Sequence, residues 1–143
     1  MTRTVGVHGA TGSVWTRIAA IVAILFGAAT IREGGAVLLG DADAVQAAGR
    51  YVPFVLWFNS LAGFGYIAAG VGLWLRQRWG AWLCFAIAAA TVAVFVAFGV
   101  YVARGGAYEL RTVIAMILRS AIWLAIALLA YRLVWIPRGG ATQ

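Results

Sequence analysis

"LWLRQRWGAWL", residues 73–83, holds three polar residues, Arg76, Gln77 and Arg78, between two runs that carry no charge over 24 residues each, 52–75 and 79–102. About 20 apolar residues in a helix are enough to cross a hydrocarbon core of about 30 Å, so each run has the length of a membrane span. The break leaves almost no loop, which dictates a tight helical hairpin with two arginines in its turn. Pro53 fits the first turn of the earlier helix, where its missing N–H costs nothing.

Composition points the same way. Of 143 residues, 64% are hydrophobic and 10% charged, against roughly 25% charged in a soluble domain. The net charge of +7 comes from eleven arginines and no lysine. Those arginines are scattered among apolar runs and form no basic patch interleaved with aromatics, which argues against nucleic acid as a partner. Cys84 is the single cysteine. One thiol excludes an internal disulfide or a zinc motif and reads as a small packing residue.

Working outward from the hairpin, residues 112–131 form a further span, interrupted by Arg119 and closed by Arg132 and Pro137. The first span is less regular. Residues 18–31 cover only about 21 Å at 1.5 Å per residue, too short to cross alone. We therefore expect helix one to continue through Arg32, Glu33, Gly34 and Gly35 to about residue 39. A cleaved leader is disfavoured, because Arg32 and Glu33 separate the apolar run from the cleavage-like Ala42, Asp43 and Ala44. The expected organisation is all-α: one four-helix domain over residues 15–136, with spans near 15–39, 52–75, 79–102 and 111–134. Flexible tails at 1–14, which holds the lone His8, and at 137–143 flank it.

Arginine placement sets the expected orientation. Arg3, Arg17, Arg76, Arg78, Arg132 and Arg138 fall on one side; Arg50, Arg104 and Arg111 fall on the other, with Asp41, Asp43 and Glu109. The reading is an antiparallel up-down bundle with both termini cytoplasmic and the loops 40–51 and 103–111 outside. The inner, plasma membrane of a bacterium is the assigned location. Tryptophans and tyrosines at the span ends supply the aromatic belt.

Polar side chains inside the spans carry what functional signal there is. At 1.5 Å per residue, Glu33 lies about 8 Å below the outer boundary, Asn59 about 9 Å and Arg119 about 10 Å. A charge in lipid is costly, so such groups face the bundle and pair, and Glu33 with Arg119 is the expected ion pair. Arg111, Ala115, Arg119 and Trp123 recur every four residues, a stripe leading inward from the outer surface. Arg32, Glu33, Asn59, Arg111 and Arg119 are thus the candidate site. Three guanidinium groups against one carboxylate would suit a small anion or a lipid headgroup.

Two further patterns remain open at this level. Gly65 and Ala69, Ala68 and Gly72, and Ala19, Ala23 and Gly27 are small residues at four-residue spacing, as in close helix packing. "IREGGAVL" and "VARGGAYEL" resemble each other, either through a duplicated hairpin or because paired glycines end helices.

No Ser-His-Asp set, metal-ligand spacing, phosphate-cradling loop or haem-binding histidine within a span is present, so neither a catalytic site nor a cofactor is expected. The first functional reading is a small non-enzymatic membrane protein acting as an accessory or assembly subunit. Its Arg/Glu/Asn layer would fix helix register or dock another membrane protein, and its small-residue faces fit either a compact four-helix bundle or a homo-oligomer. The alternative is a channel or carrier for a small anionic solute or lipid.

Overall fold

The structure, a computed structural model, describes residues 8–135. Five helices follow one another: α1 (His8–Leu38), α2 (Ala42–Ala48), α3 (Pro53–Trp74), α4 (Arg78–Ala103) and α5 (Leu110–Trp135). There is no strand among the described residues. Four of the helices are long and apolar enough to cross a membrane, over Val14–Leu38, Pro53–Trp74, Arg78–Ala103 and Leu110–Arg132. Residues 1–7 and 137–143 of the two expected tails lie outside the described residues, while residues 8–14 belong to α1.

The helices are apolar on all sides, and only 28–39% of each span is buried inside the chain. Leu25, Leu61, Phe64, Trp82 and Leu128 point outward with more than half of their surface open. Such an outer face suits hydrocarbon, and a helix satisfies its backbone groups internally, as a bilayer demands.

α1 runs unbroken through Gly34 and Gly35 and stops at Gly40, whose φ of 80° supplies the left-handed turn. Gly40 N donates to Val37 O at 3.1 Å and Asp41 N to Ala36 O at 3.1 Å, which closes the helix with a Schellman motif. Gly105 ends α4 in the same way, at φ 84°. The two halves of the "GGA" echo therefore do different work: Gly105 is a helix cap, whereas Gly34 and Gly35 lie within a helix. The α3–α4 turn repeats the motif without glycine, Arg76 taking φ 54°.

The loop expected at 40–51 contains α2. Asp41 caps it by accepting from Ala44 N at 2.9 Å, Asp43 lies in its first turn, and Gly49 ends it at φ 62°. An N-cap aspartate ahead of alanines, then a glycine, is a legible helix signal. It was masked here by the absence of any apolar periodicity over seven residues.

α1 packs most extensively on α3; α3 meets α4 and α4 meets α5, while α1 and α5 touch only sparingly. A Cβ on Gly27 would fall 2.7 Å from the backbone oxygen of Gly63, and one on Gly70 would fall 2.8 Å from that of Ala20. Gly34 opposes Ser60 on the same seam. A second seam joins α3 to α4, where Gly72 and Gly80 approach so closely that a Cβ on either would lie 2.6 Å from the other's backbone. Gly65 of the expected small-residue set faces this seam, near Ile87 of α4, so α3 divides its glycines between two partners.

The larger core cluster gathers Tyr66, Leu73, Cys84, Ile87, Trp123 and Ile126 with alanines of α1, α3, α4 and α5. Tyr66 stacks on Phe26 at 5.8 Å between centroids and meets Trp123 at 4.5 Å. A smaller cluster, Val52, Val55, Phe98 and Met116, lies toward the α2 end.

Candidate functional site

Where α1 and α5 part, the bundle holds a half-open cleft of about 460 Å³. α2 contributes Ala44, Ala47 and Ala48 to its wall. All five candidate residues, Arg32, Glu33, Asn59, Arg111 and Arg119, line this one cleft, together with Thr30, Tyr51 and Thr112. Val37, Val52, Val55, Leu56 and Ala115 give it an apolar wall.

Of the five, Arg119 is the most buried, with 9% of its surface exposed. Its Nη2 donates to Thr30 Oγ1 at 3.4 Å, and the guanidinium carbon sits 5.4 Å from the centroid of the Phe26 ring. A cation over an aromatic face is attracted by the ring quadrupole, which holds the group in place. Its Nε has no hydrogen-bond partner within the protein. A buried guanidinium donor left without an acceptor is costly, more so for a charged group.

The expected ion pair between Glu33 and Arg119 does not form: the guanidinium turns to Thr30, three residues earlier on α1. Arg32 and Glu33 are exposed at the rim. Among the described residues the ion pair is Arg50 with Glu109, at 3.4 Å. The reason is angular. Each residue turns a helix by about 100°, so agreement in depth says nothing about which way a side chain faces. Thr30 and Gly34 are buried while Glu33, between them, stands outside.

Asn59 reaches toward α5 from the other side. Its Nδ2 donates to Met116 Sδ at 3.8 Å, a weak contact, and its buried Oδ1 has no hydrogen-bond partner within the protein. Met116 and Arg119 are three apart and share one face of α5. Two residues of the cleft lining thus hold buried atoms, a cationic donor and a neutral acceptor, that have no partner within the protein.

Near α2, Arg111 Nη1 donates to Ala47 O at 2.8 Å, capping a carbonyl at the C-terminal end of α2. Arg50 and Glu109 tie the following turn to the start of α5: Arg50 N and Nε both donate to Glu109 Oε1, at 3.3 and 3.4 Å. Both contacts are exposed, so each contributes little alone. Together they seat α2 against α5.

Sequence reasoning missed Thr30 and the α2 alanines. Thr30 had a signal, since it lies one helical turn before Glu33 and Gly34. The alanines had none, because their place depends on where α2 docks.

The lining residues include three arginines and one glutamate. Ionised, they leave the cleft positively charged, with planar forks suited to carboxylate or phosphate oxygens. No family model, curated protein or solved structure matches this chain.

Proposed function

We propose that this chain is a non-enzymatic integral membrane protein that holds an anionic group, carboxylate or phosphate, in the cleft beneath α2, with Arg119 as the anchoring cation. The carrying observation is a guanidinium with 9% of its surface exposed whose Nε lacks an acceptor, facing a cleft of about 460 Å³. A buried charged donor that the fold leaves unanswered is costly, and an anion held in the cleft would answer it.

An up-down topology accompanies this reading. Contacts between α1 and α3 run in reverse order, Ala20 with Gly70, Gly27 with Gly63 and Gly34 with Ser60; those between α3 and α4 do likewise, Gly65 with Ile87 and Gly72 with Gly80. With the arginine bias, both termini are cytoplasmic, α2 and the cleft lie toward the outer leaflet, and a bacterial inner membrane is the setting.

The test is a titration of the purified protein in neutral detergent with dodecyl phosphate, followed by thermal unfolding. The wild type gains stability with added ligand, as any binder of the folded state must provide. Arg119→Gln loses that gain. An equal gain in both proteins overturns the proposal.

A second reading rests on Arg32 and Glu33, which stand exposed at the rim on one helix. Such a pair would suit docking of another membrane subunit. A protein companion that co-purifies with the wild type and leaves in Arg32→Ser with Glu33→Gln, while Arg119→Gln retains it, favours this accessory role.

A further inference from the structure

The cleft leaves two unanswered groups, and they have opposite hydrogen-bonding character. Arg119 Nε is a donor and Asn59 Oδ1 is an acceptor; both are buried, and neither has a partner within the protein. A bare anion answers only the arginine. Leaving the amide oxygen dry keeps the desolvation penalty of an unsatisfied buried acceptor.

The two groups are close in the fold. Asn59 Nδ2 rests on Met116 Sδ at 3.8 Å, and Met116 lies three residues before Arg119 on α5. One ligand can therefore span both. The rest of the wall fits an amphiphile: Val37, Val52, Val55, Leu56 and Ala115 line the same cleft. The sparse α1–α5 contact offers a lateral route for an acyl chain. α2, held by Arg111 on Ala47 O, covers the end of the bundle where a headgroup would otherwise meet water.

We infer that the ligand is a phosphodiester headgroup that itself bears a hydroxyl or ammonium donor, its phosphate on Arg119 and its donor on Asn59. This rests on the anion site proposed above and narrows its ligand class. A glycerol or ethanolamine headgroup has the required parts. A phosphodiester capped by a methyl or by a quaternary ammonium lacks the donor.

The experiment compares lipids of identical acyl chains binding to the full-length protein in neutral detergent, read by native mass spectrometry. Phosphatidylglycerol and phosphatidylmethanol each carry one negative charge and differ in the hydroxyls. One neutral hydrogen bond corresponds to roughly a fivefold preference for phosphatidylglycerol in the wild type. Asn59→Leu abolishes that preference, binding the two lipids equally, and a helical circular-dichroism spectrum like that of the wild type shows that the variant is folded. Phosphatidylethanolamine is expected to exceed phosphatidylcholine by a similar factor, again only with Asn59 present.

Equal binding of phosphatidylglycerol and phosphatidylmethanol by the wild type overturns the inference and leaves the anion site standing. Binding of neither lipid overturns both. Soluble glycerol phosphate competing as strongly as the lipid upholds the two-point recognition and assigns it to a free phosphate ester.

Discussion

α1 has two working faces that obey opposite rules. Toward α3 it is a closed seam, with Gly27, Gly34 and Ala20 set so near Gly63, Ser60 and Gly70 that most positions have no room for another carbon. Toward α5 it is scarcely in contact, and the space between is the cleft. In lipid, tight packing of small residues is a principal means of joining helices, because apolar surface gains little by leaving hydrocarbon. The α1–α3 seam uses it. The α1–α5 side forgoes it and places a charge there instead, which makes sense if that side is meant to receive something.

The sharpest way to break the comparison is to fill the seam. Gly27→Val drives a side chain into the Gly63 carbonyl, 2.7 Å from where its Cβ must sit, and into Ile67 beyond. Overpacking of this kind, with backbone as the obstacle, is expected to cost about 3 kcal/mol, read from thermal unfolding in mild detergent. An unchanged melting temperature would show that the seam yields.

A smaller effect is expected at the cleft's cover. Arg111→Ala removes the donor to Ala47 O at 2.8 Å. Global stability should fall by about 1 kcal/mol or less, since the contact is exposed. Hydrogen exchange should rise in α2 far more than in α3 or α4, as expected of a locally opening unit. Uniform loss of protection would mean that α2 is integral to the bundle.

The smallest effect separates two adjacent glycines. A Cβ on Gly34 meets Ser60, whereas one on Gly35 meets nothing within 4 Å. Gly35→Ala should therefore raise stability by about 0.5–1 kcal/mol through helix propensity alone. Gly34→Ala should lower it. The same sign at both positions would contradict the seam as drawn.

These cases show what was legible in the sequence. The four spans were, because uncharged runs of 24 residues such as 52–75 have few other uses. That Glu33, Asn59 and Arg119 would line one cleft was legible too, since depth along a helix follows from counting and brought the three to one level. Partnership was not. A helix rotates by about 100° per residue, so the count that placed Glu33 beside Arg119 in height left it turned to the rim. Thr30 received the guanidinium instead. Likewise length alone carries helix one through Gly34 and Gly35, as the structure has it, but only the position of Ser60 shows why one glycine is needed and the other is not.

The central claim is that Arg119 is kept for a ligand and not for the fold, and Arg119→Met tests it most directly. The substitution removes a buried charge whose Nε has no partner, and a methionine of similar length suits the apolar surroundings of Phe26 and Met116. Unfolding in neutral detergent without ligand, measured beside binding of phosphatidylglycerol, should show a variant more stable by about 1–2 kcal/mol that no longer binds the lipid. A variant that loses stability, or one that still binds, would contradict it.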